Sequence, residues 1–156
     1  MKIMDFLNPE AVSANLQATN KKEVISELVD LLIKAGEVKE KDKNVLVKVL
    51  LEREALGSTG IGQGIGIPHG KFSGVKRLIG ACGISPKGVD FESLDGEAVY
   101  TFFLLVAPED SAGPHLKALA RVSRLLKDKY FRDTLKTAKD EKVLIKIIKQ
   151  EDRKKT

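Results

Sequence analysis

His69 closes the run Gly57-Ser-Thr-Gly-Ile-Gly-Gln-Gly-Ile-Gly-Ile-Pro-His69-Gly70-Lys71, which holds six of the chain's thirteen glycines. Neutral imidazole is nucleophilic near physiological pH, so a histidine presented on a stiff turn can carry a phosphoryl group. Phosphoryl transfer asks a protein for in-line positioning and for donors around three equatorial oxygens, with little covalent help. Arg53, ending a predicted helix, offers charge-assisted donors, and Ser58 and Thr59 offer hydroxyls between that helix and the glycine run. Together they form a candidate phosphate site. Each residue also has a plainer reading: a histidine beside glycine often marks a surface turn, and Ser or Thr can simply cap one. The run is not a P-loop, which would need Gly at position 65 and Ser or Thr at position 72, where Ile65 and Phe72 stand. No G-x-G-x-x-G register fits it either.

The elements that must position these side chains follow from periodicity. Between Gly60 and Gly66 every second residue is glycine, alternating with Ile61, Gln63 and Ile65. That pattern predicts a single strand with one bare face. Glycines in register cost conformational entropy, so the bare face predicts the close approach of another surface. Gly60, Gly62, Gly64 and Gly70 are therefore candidate phosphate- or partner-binding positions, and Gln63, on the opposite face, is a candidate without an assigned role. Pro68 ends the strand and sets His69 on a turn. Elsewhere, strands are predicted at Ala11–Leu16, Leu78–Ile84 and Val99–Ala107, the last so apolar that it should be central. Helices are predicted over Lys21–Ala35, capped by Asn20 with Glu23, and over Asp42–Ala55. A third, entered through Pro114, should bury Leu116, Leu119, Ala120, Val122, Leu125 and Leu126, and two short ones should span Phe131–Ala138 and Asp140–Lys149. This mixture predicts one three-layer α/β domain over 1–150, with a charged, solvated tail at 151–156.

The run from Glu54 through Ile61-Gly-Gln-Gly-Ile-Gly-Ile-Pro-His69-Gly70 resembles the active-site signature of the fructose/mannitol-type enzyme IIA of the bacterial phosphoenolpyruvate-dependent sugar phosphotransferase system, a group that includes the nitrogen-regulatory enzyme IIA proteins. Gly66 departs from it, since the family more often has Ala there. A second block, Phe103-Leu-Leu-Val-Ala-Pro-Glu-Asp-Ser-Ala-Gly-Pro-His115-Leu-Lys-Ala-Leu, is similar to the family's second histidine region. The resemblance implies a mixed β-sheet flanked by helices on both faces, with His69 as the phosphohistidine, modified through Nε2, and no metal or organic cofactor. It implies that His69 takes a phosphoryl group from the carrier HPr and passes it to an enzyme IIB cysteine. The alternative it leaves open is a nitrogen-regulatory protein whose phosphorylation switches binding to a target. His115 then either bonds the phosphate or orients His69; without the resemblance it reads as an exposed residue near a helix start.

Composition bounds the other function classes. Apolar residues at 42% and charged residues at 31% fit a folded domain rather than a disordered one. The net charge of +5 invites nucleic acid, but the charges are interspersed with acidic neighbours, and aromatic residues at 5% without Trp leave few stacking platforms. An acidic protein partner suits the excess charge better. The longest apolar run, Phe102–Ala107, is too short to span a bilayer and the first residues lack a signal-peptide core, so membrane insertion is not expected. A single cysteine, Cys82, excludes an internal disulfide and points to a reducing cytoplasm. Two histidines and one cysteine are too few soft ligands for a metal site.

Overall fold

The structure, a computed structural model, describes residues 1–155. The order is β1 (Leu7–Ser13), α1 (Lys21–Lys34), α2 (Lys43–Ala55), β2 (Gly60–Gly62), β3 (Ile65–Gly66), β4 (His69–Lys71), β5 (Ile79–Val89), β6 (Val99–Ala107), α3 (Ala112–Leu126), α4 (Lys129–Lys136) and α5 (Glu141–Lys154). Among these residues the strands form one mixed six-stranded sheet in the order β1-β5-β6-β3-β2, with β4 also on β6. β6 is its axis because almost every residue is apolar and buried on both faces. Its alternation divides the interior. Phe102, Leu104 and Val106 join the core under α1 and α2, whereas Phe103, Leu105 and Ala107 join the core under α3, α4 and α5. The predicted three layers are therefore present, with helices on both faces of a mixed sheet. No helix among the described residues is long and apolar enough to cross a membrane.

The predicted Asn20 cap holds α1 in place: the Asn20 side chain accepts from the Glu23 N–H at 2.9 Å. The single glycine strand does not form. Gly60–Gly62 and Ile65–Gly66 pair antiparallel as a hairpin, turning at Gln63-Gly64 with φ of +59° and +77°. Two positive φ values at the centre are what a two-residue hairpin turn matching strand twist requires. The glycine face is not bare either. A Cβ at Gly60 would lie 2.9 Å from Ser93 Oγ, and one at Gly66 would lie 3.0 Å from the Phe102 ring. The chain itself is the surface that approaches.

Two further expectations change. On α3 the buried residues are His115, Ala118, Arg121, Val122, Leu125 and Leu126, while Leu116 is 67% exposed and Ala120 faces solvent. The buried stripe is rotated to carry two polar side chains inward. At the other end, α5 runs to Lys154, and Glu151 and Asp152 are buried, so 151–154 belong to the domain and not to a solvated tail. Asp152 accepts from the N–H groups of Ile3 (3.0 Å) and Met4 (3.1 Å) and pairs with Arg121 at 2.8 Å. Cys82 is buried in the sheet, where desolvation pushes its thiol pKa up and leaves it inert.

Candidate active site

β3 and β4 are two pieces of one strand. Ile65 pairs with Thr101 and His69 with Leu105 in one parallel register along β6, and the strand is split at Pro68, which has no N–H to give. Strand alternation then fixes which way each side chain goes. Ile65, Ile67 and His69 belong to the α3 side, and Gly70 turns to α2, where a Cβ would sit 3.3 Å from Leu50 Cδ2 and Val49 Cγ1. Glycine at 70 lets α2 close on the strand, and that closure brings Arg53 to His69.

A cavity of about 460 Å³ results, lined by Val49, Glu52, Arg53, Leu56, His69, Gly70, Lys71 and His115. The His69 and His115 rings meet edge to face, with centroids 5.4 Å apart at 77°. Nδ1 of His69 lies 2.8 Å from the carbonyl oxygen of Ile67. A carbonyl accepts only, so Nδ1 bears the hydrogen and, in the neutral ring, Nε2 bears the lone pair. Burial pushes the His69 pKa below the ordinary histidine value, the Ile67 carbonyl partly opposes this, and the Arg53 charge lowers it further. His115, 7% exposed, is held at a pKa of about 4 by burial, then by the charges of His69 and Lys71. Both rings are thus neutral at physiological pH. The Nε2 of His115 is buried with no partner among the described residues. Arg53 donates from Nη1 to the Gly57 carbonyl at 2.8 Å, using one of its five N–H donors.

His69 and His115 thus share one cavity with the cations Arg53 and Lys71 and the carboxylate Glu52. The family described as "Phosphoenolpyruvate-dependent sugar phosphotransferase system, EIIA 2" matches residues 5–151. The chain belongs to this family. It is 38% identical over 148 residues to a nitrogen regulatory protein of Bradyrhizobium diazoefficiens, covering 95% of each chain. It is 40% identical over 153 residues to the fructose-specific EIIABC component of Bacillus subtilis, covering 98% of this chain and 24% of that longer protein. Its fold is similar to the crystal structure of IIA-Ntr from Neisseria meningitidis, with a TM-score of 0.83, 31% identity, and 94% and 98% of the two chains covered.

Within this enzyme IIA fold, the structure brings His69, His115, Arg53 and Gly70 into one cavity and leaves the other candidates outside it. The Ser58 hydroxyl donates to the Phe91 carbonyl at 3.1 Å and accepts from the Gly60 N–H at 3.0 Å. Thr59 is buried, and both its N–H and its hydroxyl donate to Glu54. Gly60, Gly62, Gln63 and Gly64 form the hairpin, whose tip is held by the Gln63 N–H on Asp95 at 3.1 Å. None of them lines the cavity that holds His69. Sequence reasoning passed over four cavity residues, Val49, Glu52, Leu56 and Lys71, although Lys71 lies two residues beyond His69 and so on the same strand face. Among the described residues no group of three or more His, Cys, Asp or Glu is arranged to hold a metal ion.

Proposed function

We propose that this chain is a phosphoryl-relay protein that accepts phosphate from phospho-HPr on Nε2 of His69 and passes it to the cysteine of an enzyme IIB. The observation that supports this reading is the Nδ1–Ile67 hydrogen bond, which leaves the lone pair on Nε2. Nε2 attacks the phosphorus of the donor's phosphohistidine as the donor's N–P bond breaks, and the donor imidazole leaves with the bonding pair. The His69 ring gains positive charge as the new N–P bond forms, and the Ile67 carbonyl, accepting from Nδ1, stabilises it. Arg53 and Lys71 offer cations to the equatorial oxygens, and the unpartnered Nε2 of His115 offers a neutral donor in its protonated tautomer. Exposed Leu56 (86%) beside the cavity and Leu116 next to His115 give a partner protein apolar contacts at the rim.

Incubation with phosphoenolpyruvate, enzyme I and HPr should add one acid-labile phosphate, and His69→Ala should abolish it. Label that persists in that variant, or that maps to a serine, overturns the assignment. A regulatory role is the second reading. It is favoured by the 95% two-way coverage of a nitrogen regulatory protein. The same phosphorylated chain distinguishes the two: transfer to an enzyme IIB cysteine supports the relay, and a target bound in one phosphorylation state without transfer supports the switch.

A further inference from the structure

We propose that Glu54 is a positioning residue that sets the ring of His69 through a chain of hydrogen bonds running Glu54–Thr59–Ile67–His69. The inference rests on His69 being the acceptor, and it assigns to Glu54 a part in that chemistry without contact with the reacting atoms. Glu54 stands at the end of α2 beside Arg53 and is buried. One carboxylate oxygen accepts from the Thr59 N–H at 3.0 Å and from the Lys21 ammonium at 3.1 Å, and the other accepts from the Thr59 hydroxyl. Thr59 is therefore pinned at two points. Its carbonyl accepts from the Ile67 N–H at 3.0 Å, which closes the open end of the β2–β3 hairpin. Ile67 precedes Pro68, so its ψ is confined to the extended region. With its N–H held and its ψ restricted, the carbonyl of Ile67 has one direction available, and it meets Nδ1 of His69 at 2.8 Å.

A carboxylate is an expensive way to fill this place unless its charge and its two acceptors matter. Burying it without partners costs several kcal/mol by the usual scale for desolvated ions, which is why Lys21 accompanies it. Lys21 is held in turn over the Phe91 ring, 5.0 Å from its centroid. Packing alone would be met by an apolar side chain. What the carboxylate adds is a pair of acceptors for Thr59 and a negative charge that favours the protonated His69 ring, opposing Arg53. Glu54 thereby couples the helix that delivers the cation to the loop that fixes the nucleophile's tautomer.

Heteronuclear NMR of the His69 ring nitrogens tests this in the unmodified chain, E54Q and E54D, alongside phosphoryl acceptance from phospho-HPr. The unmodified chain should hold His69 as one Nδ1–H tautomer at neutral pH. E54Q keeps the shape but loses the charge and one acceptor, so the ring should show both tautomers, its pKa should fall, and acceptance should slow roughly 10–100-fold, by analogy with the loss of outer partners of metal-ligating histidines. E54D keeps the charge but not the reach to both Thr59 donors, so tautomers should mix while the pKa stays near its original value. Variants that retain the single Nδ1–H tautomer, the original pKa and the original rate, even with lowered melting temperature, reduce Glu54 to a purely structural residue and overturn the proposal. If E54Q does not fold, an unmixed tautomer in E54D overturns it alone. An unmodified chain that holds the Nδ1–H tautomer yet accepts no phosphoryl group sinks the relay reading and leaves the positioning result standing.

Discussion

At the residue scale, chemistry and stability share the same two neutral imidazoles. Both have pKa values depressed chiefly by burial, so both are neutral in the folded chain when unfolded histidine, at about 6.5, begins to protonate. The unfolded state then binds more protons, and stability falls as pH drops through that window. For His115 the window runs from 6.5 to about 4. The urea midpoint should therefore decline between those values, and His115→Asn should flatten the decline; a midpoint independent of pH there contradicts the buried neutral ring. Phosphoryl acceptance should stay level from pH 8 to 6.5 and fail only below the depressed pKa of His69, as read from initial rates across pH. Arg53→Ala should slow acceptance by roughly two to three orders of magnitude, the effect of losing a donor of about 2.7–4 kcal/mol from a charged transition state. Arg53→Lys should recover only part of it, since a point charge lacks the guanidinium fork. His69 and Arg53 were legible because imidazole, cation and glycine run fall close together in sequence. Ser58 and Thr59 fall outside the cavity because their hydroxyls turn to the Phe91 carbonyl and the Glu54 carboxylate, which a hydroxyl near a glycine run does not reveal in sequence.

At the element scale, the glycine alternation shows why a period of two is not enough. Gly60 through Gly66 has the pattern of one strand, but a two-residue turn inserted in it preserves the alternation of residue types while reversing the chain. Only backbone dihedrals separate the two, and Gly62, Gln63 and Gly64 all carry positive φ. Ala at Gly62 or Gly64 should thus cost about 1–2 kcal/mol from left-handed strain, read as a lower urea midpoint. Gly66 tells a different story. The family more often has Ala there, but here the buried Phe102 ring lies over the position, so Gly66→Ala should lower the melting temperature until Phe102 is also made smaller. A larger change at Gly70 acts on function instead. Gly70→Val should overpack the α2 contact at Leu50 and Val49, costing about 1–3 kcal/mol and moving Arg53 away from His69. Acceptance should fall more than thermal unfolding explains, and equal losses in both would separate Gly70 from the site. The long elements were readable because capping residues and 3.6-residue stripes are local, whereas the inward rotation of α3 goes with His115 meeting His69, a residue distant in sequence, on the same face of the sheet.

At the scale of the whole molecule, the last turn of α5 fastens three parts of the fold. Asp152 takes N–H groups from Ile3 and Met4 and pairs with Arg121 on α3, the helix that carries His115. Asp152→Ala leaves the buried guanidinium its backbone partners, the carbonyls of Asp152 and Lys155, but removes its counter-charge, a loss that typically costs about 3–5 kcal/mol. At about 2–4 °C per kcal/mol for a domain of this size, melting should drop by roughly 6–20 °C, a shift calorimetry resolves. A decrease of only a degree or two would mean that the Asp152 and Lys155 carbonyls suffice for Arg121. The charge pattern at the end of the chain reads as a tail because the acceptors that bury it, the N–H groups' own partner Asp152 among them, are matched to residues at the opposite end of the sequence. The same clasp places Lys2 Nζ 3.2 Å from the carbonyl of Lys155. Entrance and exit of the polypeptide are thus neighbours, so the domain is topologically a near-closed ring. A short flexible tether across that gap, with a new opening cut at the exposed turn near Gly96, should yield a circular permutant that melts within a few degrees of the original and still accepts phosphate. For the same reason the unit, set like a bead on a stem into an exposed loop of a longer host chain, should keep its own sheet and its own cavity.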